Sequence, residues 1–325
     1  MRAVDLTSVL ILRSGALGDA VLTLPVLHAL RGAGAKRVTV LGTPRSWEFL
    51  NPQLTDVRVV DVSTPEWMGL FQPGLALSEK APALLAEHSA ALLYLLTPST
   101  DVEAKLRATG VANVLTGVPP LRNDSGPPHA AEKLLAPLRV WLGAQAAALQ
   151  NEDAFLDARR DALIGPLGNG PWHSTRRPLL LHPGSGGKTK CWPLERFITL
   201  AQNAQAHLSA WPVFIFGPAE ESLHKEFQRA WPKEIPHGLV VNVNLRTLLG
   251  ELKQAQAFVG NDAGVAHLAA RCAPTIAIFG PTDPRTWRPL GTRVRVCAPA
   301  QGPSPVTEVS FEQVWQELQA LWTAP

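Results

Sequence analysis

Cysteine is scarce in this chain: 325 residues carry only Cys191, Cys272 and Cys297. An odd, sparse set without CxxC spacing argues against a disulfide framework or a zinc site. No apolar run approaches the roughly 20 residues that span a bilayer. The opening stretch MRAVDLTSVLILRSGALGD has only a short apolar run before Arg13 and no small-residue cleavage site, so no secretory leader is expected. Blocks of Lys and Arg are missing as well. With a formal charge of only +3, nucleic acid is not an expected partner, although a basic face for an anionic ligand or lipid surface stays open. Internal repeats of short period are lacking. A reducing, cytoplasmic location fits these absences.

What is present describes an ordinary folded protein. Apolar residues make up 46% and charged residues 18%, a globular balance rather than a disordered one. The length suits two domains better than one core. Short apolar runs at Ser8 to Leu12, Arg37 to Leu41, Val57 to Val60 and Ala90 to Leu96 alternate with helical patterns at Ala20 to Arg31, Leu75 to Glu87, Asp101 to Thr109 and Ala130 to Leu142. A second block repeats the layout. Strands are expected at Leu179 to Leu181, Val213 to Phe216, Leu239 to Val241, Ala257 to Val259 and Thr275 to Phe279. Helices are expected at Leu194 to Ala206, Glu220 to Ala230, Leu245 to Ala255, Val265 to Arg271 and Phe311 to Trp322. Alternating β and α at this spacing predicts parallel sheets covered on both faces. Gly165 to Pro178, rich in Gly and Pro, is the linker candidate. The expected division is residues 1–164, a linker at 165–178, and 179–325, with the last helix a candidate to pack back on the first domain. Two such domains would face a central cleft, with ligands off the C-terminal ends of the strands.

Three loops at strand ends could carry chemistry. Arg13, Ser14, Gly15, Gly18 and Asp19 lie between the first strand and its helix, at a spacing that is neither GxGxxG nor GxxxxGK[ST]. Asp19 reads equally as a helix cap or as a carboxylate placed to accept a proton. His182 to Pro193, HPGSGGKTKCWP, sets Ser185, Gly186, Lys188 and Lys190 ahead of a helix. Hydroxyl, glycine backbone and lysines suit phosphate oxygens; the alternative is a solvated surface loop. Gly260, Asn261 and Asp262 break a strand, and Ala263 and Gly264 lead into a helix that includes His267. An anion is favoured at such a turn by unpaired N–H groups and the helix dipole; the plainer alternative is that Asp262 is only an N-cap. A Gly-Pro-Thr-Asp-Pro turn after the next strand adds to this edge.

Four segments, RSGALGDAVLTLPVLHALR, LHPGSGGKTKCWPLERF, FIFGPAEE and FVGNDAGVAHLAA…IAIFGPTDP, resemble in that order glycosyltransferase family 9, the ADP-heptose:lipopolysaccharide heptosyltransferases. They span about residues 8 to 290. The resemblance implies a GT-B fold: α/β, with two Rossmann-like domains whose parallel sheets face a central cleft. It implies an inverting, metal-independent transfer of a sugar, heptose from ADP-heptose, to a hydroxyl of a lipopolysaccharide core or another surface glycan. The enzyme would need no cofactor and would make peripheral contact with the inner face of the cytoplasmic membrane. Asp19 matches the family's general base and Lys190 its phosphate-contacting lysine. Ser185 falls in the same donor loop. Glu220 or Glu221 matches the acidic residue near the ribose. Asp262, Gly264 and His267 match the donor motif. Ala263 stands where a hydroxyl residue is common, and Tyr94 to Arg107 lacks the polar pattern of an inner-core acceptor loop, so the acceptor is left open. An acceptor-independent nucleotide-sugar epimerase of GT-B architecture and a non-catalytic sugar-nucleotide-binding protein are the alternatives.

Overall fold

The computed structural model describes residues 4–143, 164 and 177–323. The linker candidate at 165–178 therefore lies, up to residue 176, outside the described residues. Two compact units emerge: residues 1–121 with 128–155, and residues 122–127 with 156–325.

The first unit holds β1 (Ser8–Leu12), β2 (Arg37–Gly42), β3 (Val57–Asp61), β4 (Ala90–Tyr94) and β5 (Asn113–Gly117) in the order β3-β2-β1-β4-β5. Every neighbouring pair is parallel, with Ser8 opposite Arg37 and Val9 opposite Ala90. The central strands are apolar on both faces, as a doubly covered sheet demands. Its helices are α1 (Leu17–Gly32), α2 (Met68–Phe71), α3 (Ala81–Ala86), α4 (Thr100–Ala108) and α5 (Ala130–Leu142). Residues Ala20 to Leu27 of α1 are all buried, and the helix packs against α5. Ser99 caps α4 by accepting the N–H of Val102. The helix expected from Leu75 is confined to α3, starting at Ala81. Upstream of it Gly74 adopts φ +74° and Pro73 cannot donate to a helix.

The second unit orders six strands as β11-β10-β9-β6-β7-β8, again all parallel. They are β6 (Arg177–His182), β7 (Ala210–Phe216), β8 (Gly238–Val241), β9 (Ala257–Asn261), β10 (Thr275–Ile278) and β11 (Val294–Cys297). The helices are α6 (Leu194–Leu208), α7 (Glu221–Ala230), α8 (Leu245–Gln254), α9 (Gly264–Ala270), α10 (Pro284–Trp287) and α11 (Phe311–Thr323). One core gathers Leu179, Trp192, Phe197, Phe214, Phe227, Val259 and Ile276. The closing helix α11 contributes Val314, Leu318, Leu321 and Trp322 to that same core. Its apolar stripe faces its own sheet.

Candidate functional site

In the first unit, Arg13 leaves β1 and turns inward. Its guanidinium is buried, meets Asp19 Oδ1 at 2.7 Å and stands 6.0 Å from the centre of the Tyr94 ring. The phenol hydroxyl of Tyr94 donates to the Leu134 carbonyl, and burial pushes its pKa well above the usual phenol range. Asp19 Oδ2 accepts the Ala16 N–H at 3.0 Å. Asp19 therefore does cap α1, and its side chain keeps 36% exposure while doing so. Gly15 has φ +143°, and a Cβ there would fall 2.5 Å from Asp19 Oδ2, so only glycine lets the carboxylate fold back. Ser46, which sequence reasoning did not single out, donates to the Gly15 carbonyl at 2.8 Å. Ser14 is exposed, and Gly18 lies in the first turn of α1.

In the second unit, residues 72 positions apart meet: Lys190 Nζ lies 2.6 Å from Asp262 Oδ2. Ser185 Oγ donates to the Asp262 carbonyl at 2.8 Å, tying the loop to the end of β9. Thr282 Oγ1, from the turn after β10, donates to Asp262 Oδ2 at 2.7 Å. Asp262 is thus not the helix cap considered above. The N-cap of α9 is Ala263, without a side-chain bond, and the carboxylate goes to Lys190 and Thr282. An ammonium and a hydroxyl outcompete a single backbone N–H for it.

Asn261 also departs from expectation. It is completely buried; its Nδ2 donates to the carbonyls of Pro183 at 2.8 Å and Gly184 at 3.2 Å, and its Oδ1 accepts the Trp192 N–H at 3.0 Å. Both amide hydrogens are spent, so Asn261 braces the loop from beneath instead of facing a ligand. Trp192 locks the loop's other end: its indole donates to the Val309 carbonyl at 2.8 Å. Glu220 packs against Gly184, where a Cβ would collide with it, and accepts the Gly217 N–H at 2.7 Å. Glu221 points to solvent and pairs with Lys225, so Glu220 is the one at the loop. Gly186 stands in open space and Lys188 is exposed. Gly264 opens α9, and His267 is buried in it. His182, at the end of β6, is buried too; burial pushes its pKa down to about 4, which keeps the imidazole neutral at physiological pH.

The Thr282 turn is itself anchored. Asp283 is buried, and its Oδ2 accepts the Gly126 N–H at 2.8 Å and pairs with Arg285 at 2.6 Å. The Arg285 guanidinium beside it lowers the Asp283 pKa to about 2. Thr286 donates to the Gly126 carbonyl at 2.6 Å, and Trp287 to the Asp124 carbonyl at 3.2 Å. Among the described residues no group of three or more His, Cys, Asp and Glu is arranged to hold a metal ion, and no helix is long and apolar enough to cross a membrane.

Two all-parallel Rossmann-like units, with a lysine–carboxylate centre at the strand ends of the second, define a protein of the GT-B class. The chain belongs to glycosyltransferase family 9 (heptosyltransferase), whose family model matches residues 142–314. It is 30% identical over 133 residues to lipooligosaccharide heptosyltransferase 2 of Haemophilus influenzae. That alignment covers 39% of this chain and only 38% of the relative's length. Among solved structures, a family 9 glycosyltransferase from Veillonella parvula superposes with TM-score 0.70 at 17% identity, covering 98% of each chain. The ADP-heptose heptosyltransferase II of E. coli follows with TM-score 0.68 at 18% identity, over 97% of this chain and 98% of that one. At these identities the superpositions speak for the fold.

Proposed function

We propose that this protein transfers a sugar, heptose from ADP-heptose, to a hydroxyl of a lipopolysaccharide core or a related surface glycan, with inversion and without a metal. The observation that carries the reading is the Lys190–Asp262–Thr282 centre, set beside a glycine-rich loop that Asn261 holds in place. A departing diphosphate needs positive charge and N–H donors fixed before the bond breaks. Lys190 supplies the charge. The first N–H groups of α9 supply donors that the helix itself cannot use. Glu220, which rests against Gly184, would take the ribose hydroxyls in this reading.

In the reaction the acceptor hydroxyl gives its proton to Asp19. Its oxygen bonds the anomeric carbon from the face opposite the diphosphate, and the bond from that carbon to the phosphate oxygen breaks. ADP leaves with the electron pair. Arg13 and the Ala16 N–H fix the orientation of the Asp19 carboxylate, which remains partly exposed and so open to an acceptor hydroxyl. The names of the relatives support heptose and a lipopolysaccharide acceptor. The enzyme would then work at the inner face of the cytoplasmic membrane.

The test is to incubate the protein with ADP-heptose and a core-truncated lipopolysaccharide, following ADP release and the acceptor's mass. Gain of one heptose with stoichiometric ADP supports the reading. Isomerisation of the donor without acceptor would indicate an epimerase, and binding of ADP without any turnover a non-catalytic binder; either overturns it.

A further inference from the structure

We infer that Thr282 is a positioning residue of the donor site: through the Asp262 carboxylate it keeps the Lys190 ammonium available to the donor's diphosphate. This rests on the donor-site reading above. Thr282 Oγ1 and Lys190 Nζ approach the same oxygen, Asp262 Oδ2, at 2.7 and 2.6 Å. A carboxylate oxygen has two in-plane lone pairs, and these two donors fill them. Lys190 has three N–H groups, and one of them is committed to Asp262. Its side chain retains 32% exposure, so the ammonium is open to a ligand.

Asp262 and a diphosphate are both anions, and they compete for one cation. A neutral hydroxyl donor on Asp262 takes up part of the carboxylate's demand for hydrogen bonds and fixes its plane. It thereby weakens the hold on Lys190 and shields the incoming phosphate from bare negative charge. Loss of the hydroxyl should leave a carboxylate that grips Lys190 harder and repels the diphosphate more.

The turn is built to hold Thr282 still. Asp283, the next residue, is fixed by the Gly126 N–H and by Arg285. Two residues earlier, the Gly280 carbonyl accepts the Ser304 N–H at 3.0 Å, and a Cβ on Gly280 would run into Val306. A hydroxyl on so constrained a backbone can direct a carboxylate, whereas one on a mobile loop would only follow it.

The experiment is calorimetric titration of ADP into wild type, Thr282→Val and Thr282→Ser, with Thr282→Val repeated in an Asp262→Asn background. Thr282→Val should weaken ADP binding about tenfold, the scale of one hydrogen bond to a charged group. Thr282→Ser should stay within about threefold of wild type. In the Asp262→Asn background Thr282→Val should change affinity less than about twofold, since its route of action is gone. Thr282→Ala replaces Thr282→Val should the latter not fold. A merely structural threonine would lower the melting temperature and leave ADP affinity unchanged, which overturns the inference. So does a tenfold loss that persists with Asp262→Asn. In both cases a wild type that binds ADP leaves the donor-site reading standing; a wild type that does not bind ADP overturns both.

Discussion

Lys190→Ala removes one ammonium and should produce two effects of different size. The first is on the ligand. A charge-assisted hydrogen bond to phosphate contributes about 1.5–3 kcal/mol, which is roughly a 10- to 150-fold loss of ADP affinity. The second is on the fold. Asp262 keeps only 8% side-chain exposure and would be left, among the described residues, with Thr282 as its side-chain donor. Breaking a fully buried pair costs about 3–5 kcal/mol, but an exposed pair less than about 1. Lys190 is 32% exposed, so solvent already screens the pair, and about 1–2 kcal/mol is expected. Titration calorimetry reads the first effect and denaturant unfolding the second. The variant Lys190→Ala with Asp262→Asn separates them: stability should return and ADP affinity should not. Lys188, exposed on the same loop, is the control, and Lys188→Ala should stay within about threefold. A large loss with Lys188→Ala and none with Lys190→Ala would refute the assignment of the loop.

Asp19→Asn keeps an oxygen for the Ala16 N–H but loses its basicity, so transfer should fall about 100- to 10,000-fold while ADP affinity stays within a few-fold; near-normal turnover would return Asp19 to capping alone. Transfer should persist in excess EDTA at a rate close to that with magnesium. A loss of tenfold or more, restored by magnesium or manganese, would point to a metal-bound donor. Asp283 is held in its charged form by Arg285 and the Gly126 N–H, and its folded pKa of about 2 lies below the ordinary 3.8. The stability it contributes, up to about 2 kcal/mol, is complete above pH 4 and lost as pH falls toward 2. Unfolding of wild type and Asp283→Ala between pH 6 and pH 2 should converge at the acid end, and a constant gap would contradict the ion-pair account.

The sequence by itself determined the fold class, because that information is local. Buried strands such as Val9 to Leu12 and Leu179 to Leu181 read as apolar runs, and α6 shows its helical period from Leu194 onward. The two loops that carry Asp19 and Lys190 follow from strand–loop–helix punctuation. Two of the four edge strands were another matter, while β3 and β8 keep apolar runs that the sequence shows. β5, Asn113 to Gly117, and β11, Val294 to Cys297, were not marked, because a strand with one open side tolerates Asn, Thr and Arg and loses the apolar signature. Tertiary structure alone decided which candidates touch. Spacing along the chain cannot show that Lys190 reaches Asp262, or that Thr282, twenty residues further on, reaches the same oxygen. Nor can it show that Asn261 turns both its amide hydrogens under the loop, or that Glu220 and not Glu221 rests on Gly184. Parallel β9 lies between β6 and β10, so the ends of three strands separated in sequence come to one edge. There side chains compete for partners by charge and distance, a contest that no local pattern records.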